Sequence, residues 1–175
     1  MALATLTHIG RAAIALAISE RPLHIAWGSG DAAWDNPDAV LPSLLDATAL
    51  VTELGRRTPG TIGFVEPDEA GDIVIPISAG GEGAVQEARY RSVPGPTPFL
   101  YVRAHYNYGD ASNAVIREMG VFMNTGFVEG LPPGQQYFTP ADIADPGLLL
   151  AAQIVLPRIN RSPSVRQTVE FVLPI

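Results

Sequence analysis

Seven stretches of strand length dominate this sequence and restrict what it can fold into. They are residues 23–27, 61–66, 72–78, 99–108, 114–122, 148–157 and 167–175. Each is rich in β-branched or aromatic side chains and is closed off by Gly, Pro, Asn or Asp, residues that favour turns over regular structure. In "FLYVRAHYNY" (99–108) the alternation is explicit: Leu100, Val102, Ala104 and Tyr106 share one face, while Phe99, Tyr101, Arg103 and His105 share the other. A burial-seeking face opposite an amphipathic one predicts a sheet, so most of the chain is expected to be β.

The front of the chain differs. From Leu6, apolar side chains recur at Ile9, Ala13 and Leu16, a three-to-four spacing that lines one face of a helix. Thr5 or Thr7 supplies a start, and "RPL" at 21–23 a stop, because proline lacks the amide donor and clashes backwards. A second helix is expected around "LLDATALVTELGRRT" (44–58), where Leu44, Leu45, Leu50, Val51 and Leu54 form an apolar set, although its later part could pair as a strand. Between these pieces, "GSGDAAWDNPDAVLPS" reads as a long loop. "SVPGPTPF" (92–99) and "LPPGQQYFTPADIADPG" (131–147) are proline-rich excursions, the second of a length expected to pack on a partner chain. The fold class is therefore α+β, mainly β: an N-terminal helix, then an antiparallel β-sandwich-like body with long Pro/Gly-rich loops. The division is residues 1–22 and residues 23–175.

Composition removes several chemistries. With no cysteine there are no disulfides, thiolate metal sites or cysteine nucleophiles, and with no lysine there is no Schiff base or phosphate-loop lysine. A net charge of −7 argues against nucleic-acid and anionic-membrane partners, whose affinity comes from basic side chains. The apolar run at 12–18 is far short of the roughly 20 residues a bilayer requires.

Individual motifs give little enzymology. His8, His24 and His105 are far apart and fit no metal spacing. "GSGD" (28–31) follows a strand but lacks the full glycine pattern, so a plain turn is expected. Asp31, Asp35 and Asp38 lack the spacing of a calcium loop. No catalytic residue, metal or cofactor is expected. A carbohydrate-binding or depolymerising module is the alternative, with Trp27 and Trp34 as stacking platforms and Asp31 with Asp35 as a carboxylate pair.

The pair Arg117 and Glu118 sits inside an apolar run and, on a strand, points to opposite faces. Glu118 then needs an arginine or backbone donors, with Arg56 or Arg57 the preferred partner, and Gly120 permits a bulge or close backbone approach.

Four ordered stretches resemble a known family. "LTHIGRAAIALAI", "GSGD", "ALVTELGRRT" (with Leu50, Glu53 and Arg56 in an L-x-x-E-x-x-R pattern) and "VIREMGVF" resemble, in that order, segments at the start of tail-collar type tail-fibre proteins of contractile-tailed phages. The resemblance covers residues 5–122. It implies an attachment domain: a non-enzymatic virion protein at the baseplate, assembled in the host cytoplasm and connecting a baseplate wedge protein to a separately encoded tail fibre. It also implies a homo-oligomer, a trimer in preference to a dimer. Arg117, Glu118, Gly120, Glu53, Arg56 and Arg57 become structural or assembly residues, and residues 1–22 a docking helix. Leu6, Ile9, Leu16, Pro132, Pro133, Tyr137 and Phe138 become interface candidates. The chain ends without the repetitive shaft of a complete fibre.

Overall fold

The computed structural model describes residues 4–78 and 85–175. In chain order its elements are α1 (His8–Ser19), β1 (Leu23–Gly28), β2 (Glu53–Arg57), β3 (Thr61–Pro67), β4 (Ile73–Ser78), β5 (Val85–Val93), β6 (Phe99–Tyr106), β7 (Val115–Met123), β8 (Gly126–Phe127), β9 (Tyr137–Phe138), β10 (Ile143–Asp145), β11 (Leu148–Asn160) and β12 (Gln167–Pro174). Single 3-10 turns occupy Ala32–Asp35 and Pro140–Asp142. The described residues are mainly β with one short helix, and their sheets are antiparallel.

Two compact units emerge. The first comprises residues up to Arg21, Thr61–Arg103 and Glu170–Ile175; the second comprises Pro22–Gly60 and Ala104–Val169.

In the first unit, α1 starts where the Thr7 hydroxyl accepts the Gly10 amide at 3.1 Å, satisfying one of the free donors of the opening turn. It ends at Ser19, two residues before the Arg21–Pro22 bond. Ala15 is fully buried, whereas Leu6 (48 %), Ile9 (83 %), Ile14 (40 %) and Leu16 (39 %) remain exposed. The stripe predicted from Leu6, Ile9, Ala13 and Leu16 therefore faces outward, and a small alanine face packs inward. The Arg11 guanidinium donates to the Ile175 carbonyl oxygen at 2.7 Å, and the Ile175 amide donates to Pro98 O at 2.8 Å. Strands run in the order β12-β6-β3-β5-β4. β5 has no clear apolar face, because Glu87, Arg89 and Arg91 alternate along it, which is why it is absent from the sequence-based strands.

In the second unit the order is β11-β7-β1-β2-β9, with β8 and β10 forming a separate two-stranded ladder. β1 is buried along its whole length, and β7 lies between β1 and β11. The Trp27 ring is fully buried and stacks on Tyr106 at 3.4 Å between centroids, and the Tyr106 hydroxyl donates to Ile25 O at 2.5 Å. Removing a tryptophan of this size from water is worth about 5 kcal/mol of gross transfer energy, so this pair is a principal anchor of the unit.

Three sequence-based expectations are corrected here. No helix forms at 44–54; the chain stays irregular until β2, whose ladder partners are β1 and β9. The segment 131–147 is not a structureless excursion, because β9 pairs with β2, β10 pairs with β8, and Pro140–Asp142 is closed by a Thr139–Asp142 capping box. At 92–99, β5 runs through Val93 and β6 starts at Phe99, leaving a short connection.

Candidate functional site

Arg117 and Glu118 are consecutive on β7, and together they close the neck of the excursion formed by residues 29–52. Glu118 is 4 % exposed. Its Oε1 accepts the amides of Gly30 (3.2 Å) and Thr52 (2.7 Å), and its Oε2 accepts the Val51 amide at 2.8 Å. One buried carboxylate thus holds both ends of the excursion through three charge-assisted bonds. Gly28 makes this possible, since a Cβ there would collide with the Glu118 carboxylate and the Thr52 carbonyl. Gly30 has φ +56° and lies under the Trp34 ring, where any side chain would clash.

Arg117 works on the other face. Its Nε and Nη2 grip the two Asp35 oxygens at 2.9 and 2.8 Å, and its Nη1 donates to Ser29 O at 3.0 Å. Arg158 donates to the same Asp35 carboxylate. The bonds from Arg117, and then Arg158, hold the Asp35 carboxyl below its usual range against the opposing effect of desolvation.

Arg56 and Arg57 do not pair with Glu118, contrary to the sequence-based expectation. Arg56 is 2 % exposed; its Nε and Nη2 bind the Glu53 carboxylate at 2.6 and 3.0 Å. Its Nη1 donates to Thr125 Oγ1 at 2.7 Å and Pro146 O at 2.5 Å, and its guanidinium lies 3.5 Å from the Phe122 ring centroid. Arg57 bonds Asp110 at 2.6 Å, and Asp110 also accepts the Asn107 amide at 2.7 Å. The reason is positional: Glu53 is three residues from Arg56 on the same strand, and backbone amides satisfy Glu118 before a side chain can reach it.

His24 sits between the edges of Phe127 (5.1 Å) and Phe138 (5.8 Å), with Nδ1 buried and unpaired. Desolvation first, and the Arg56 charge second, lower its pKa from 6.5 to about 4, so the ring is neutral near pH 7.

The other singled-out residues fall in different places. At Gly120 a Cβ would press on Leu149 and on the Ala151 carbonyl oxygen of β11, so glycine permits that close approach. Ile9 and Leu16 are exposed on α1, Leu6 is exposed just before it, and Pro132 and Pro133 are exposed. Phe138, also an interface candidate, is 6 % exposed in this chain and stacks on Phe127 at 3.9 Å. Tyr137 is half-buried, with its hydroxyl donating to Leu54 O at 3.0 Å and accepting from Trp27 Nε1 at 3.4 Å. Both tryptophans of the sugar alternative are buried, Asp31 caps the 3-10 turn through the Ala33 amide at 2.8 Å, and Asp35 is held by two arginines. The two tryptophan rings therefore form no exposed stacking platform.

Sequence reasoning missed Arg158, Thr125, Asp110 and Arg161. Buried Arg161 donates to Asn107 O at 2.7 Å and Val165 O at 2.8 Å, with its guanidinium 5.0 Å from the Trp27 ring centroid. An arginine that bonds carbonyls leaves no residue-type signal in the sequence, and the polar flanks Asn160 and Ser162 make it look like a surface residue.

Among the described residues, no group of His, Asp or Glu is arranged to hold a metal, and no helix is long and apolar enough to cross a membrane. What this geometry does is fix a loop. A family model described as "baseplate wedge 3 tail fiber network component" matches residues 1–175. The chain belongs to this family. It is accordingly a structural component of the phage tail, associated with the baseplate wedge and the tail-fibre network. Among curated proteins, none matches the chain.

Proposed function

We propose that the chain is a connector that joins a baseplate wedge protein to a separately encoded fibre in a contractile tail. It does this by forming interfaces, without catalysis or a cofactor. The whole-chain family match carries this reading. The tail-collar resemblance of residues 5–122 supports the finer architecture, including a homo-oligomer that is a trimer rather than a dimer.

The docking element toward the wedge is α1. Large apolar side chains of a helix usually face a core, yet α1 leaves Ile9, Ile14 and Leu16 in water, with Leu6 exposed just ahead of it. Covering one such side chain is worth about 1.5–3 kcal/mol. The double variant Ile9→Glu with Leu16→Glu should leave the thermal midpoint within about 2 °C of the parent, since both positions are exposed. It should lower incorporation into particles by about 100-fold, the equivalent of roughly 3 kcal/mol. Unchanged incorporation with intact folding would remove α1 from the docking role.

A further inference from the structure

We infer that the tip of the excursion, residues 36–49 in the second unit, is a preformed docking loop for a separate protein chain whose receiving face is an apolar groove rimmed by arginine or lysine. The inference rests on the connector reading, because it supplies that connector with a second contact surface.

The loop combines a rigid base with an uncovered apolar tip. At the base, Glu118 ties Gly30 to Val51 and Thr52, while Arg117 ties Ser29 and Asp35. Local turns fix the tip: the Asn36 side chain accepts the Asp38 amide at 3.0 Å, the Ser43 hydroxyl accepts the Leu45 amide at 3.3 Å, and the Ala47 amide donates to Leu44 O at 3.1 Å. On this frame Val40 is 96 % exposed, Leu45 89 % and Leu41 39 %. Long loops without regular structure are uncommon in compact domains and are usually functional. A loop that is clamped at its base but apolar at its tip has already met much of the ordering cost of binding.

Charge selects the occupant. No arginine or lysine lies between Arg21 and Arg56, and the tip carries Asp38 and Asp46. A basic rim around an apolar groove complements that pattern, and a second copy of this chain does not provide one. Its net charge is −7, and every cation is arginine. Among the described residues, Arg56 and Arg161 are buried, Arg57, Arg89, Arg91, Arg103, Arg117 and Arg158 are ion-paired, Arg11 is bonded to Ile175 O and Arg166 lies over the Tyr108 ring, which leaves Arg21. Like-charge surfaces meeting without such cations oppose self-docking.

The test is a photo-crosslinking amino acid at position 41, which both double variants below leave free, in the full chain, carried into assembled particles and read by mass spectrometry. The expected product joins the tip to a different chain, at a peptide bearing arginine or lysine beside apolar residues. Val40→Asp with Leu45→Asp should keep the parent thermal midpoint and reduce that crosslinked partner at least tenfold, and Asp38→Lys with Asp46→Lys should do the same. A crosslink to a second copy overturns the inference. So does full partner recovery with both double variants, or the absence of a crosslink in particles that contain the chain; in those cases the connector reading stands. Particles that lack the parent chain altogether overturn the connector reading and the inference with it.

Discussion

Replacing Glu118 by glutamine tests the clamp at the atoms that form it. The carboxylate offers acceptors on both oxygens, to Gly30 and Thr52 on one side and to Val51 on the other. Glutamine has one acceptor oxygen and one donor nitrogen. In its better orientation the oxygen keeps Gly30 and Thr52, and the amino group then faces the Val51 amide donor to donor. A hydrogen bond to a charged group contributes about 1.5–3 kcal/mol, and a neutral one about 1 kcal/mol. Losing one such bond and weakening two others, partly offset by the smaller desolvation of a neutral side chain, gives about 2–3 kcal/mol. For a chain of this size that is a fall in thermal midpoint of about 5–10 °C. Thermal unfolding followed by circular dichroism gives the midpoint, and hydrogen exchange should show protection at Val51 and Thr52 falling well before that of the β7 amides. A midpoint within about 1 °C of the parent, with protection unchanged at those two amides, would refute the reasoning.

Two further substitutions probe the surroundings of the clamp. Arg56→Lys keeps the charge but loses the planar fork on Glu53, the bonds to Thr125 and Pro146, and the stack on Phe122; it should cost about 3 kcal/mol by chemical denaturation, whereas a cost below about 1 kcal/mol would show that charge alone suffices. His24 has a folded pKa near 4 against 6.5 unfolded, so the unfolded state binds the extra proton between those values. Its contribution is complete above pH 6.5 and is lost as pH falls toward 4, at most about 3 kcal/mol at roughly 1.4 kcal/mol per pH unit. His24→Phe keeps a ring between Phe127 and Phe138 and should flatten the stability profile between pH 6.5 and 5; an unchanged slope would locate the acid sensitivity elsewhere.

The strands were legible because burial on alternate residues leaves a period, as Leu100, Val102, Ala104 and Tyr106 show by all being fully buried. Strand β5 was not, since its alternation carries arginine and glutamate in place of apolar residues. The expected helix at 44–54 failed for a related reason. Its apolar set includes Leu45 and Val51, which the fold leaves in water, and the amides of Val51 and Thr52 go to Glu118 instead of to a preceding turn. A demand for donors at Glu118 could be read from an acid in an apolar run; that the donors are backbone amides could not, because main-chain groups carry no residue identity. Nor could the sequence tell a docking stripe from a core stripe on α1. Leu6, Ile9, Ala13 and Leu16 have the same spacing in either case, and the smaller Ala15 takes the buried place.

Quantitative mass spectrometry of purified tails, with the baseplate end separated from the shaft, tests the connector most directly. Copies of this chain at the baseplate end in a whole multiple of three or six, in fixed ratio to a wedge protein, would agree with a trimeric connector in the fibre network. Intact particles that carry their fibres but lack this chain would contradict it.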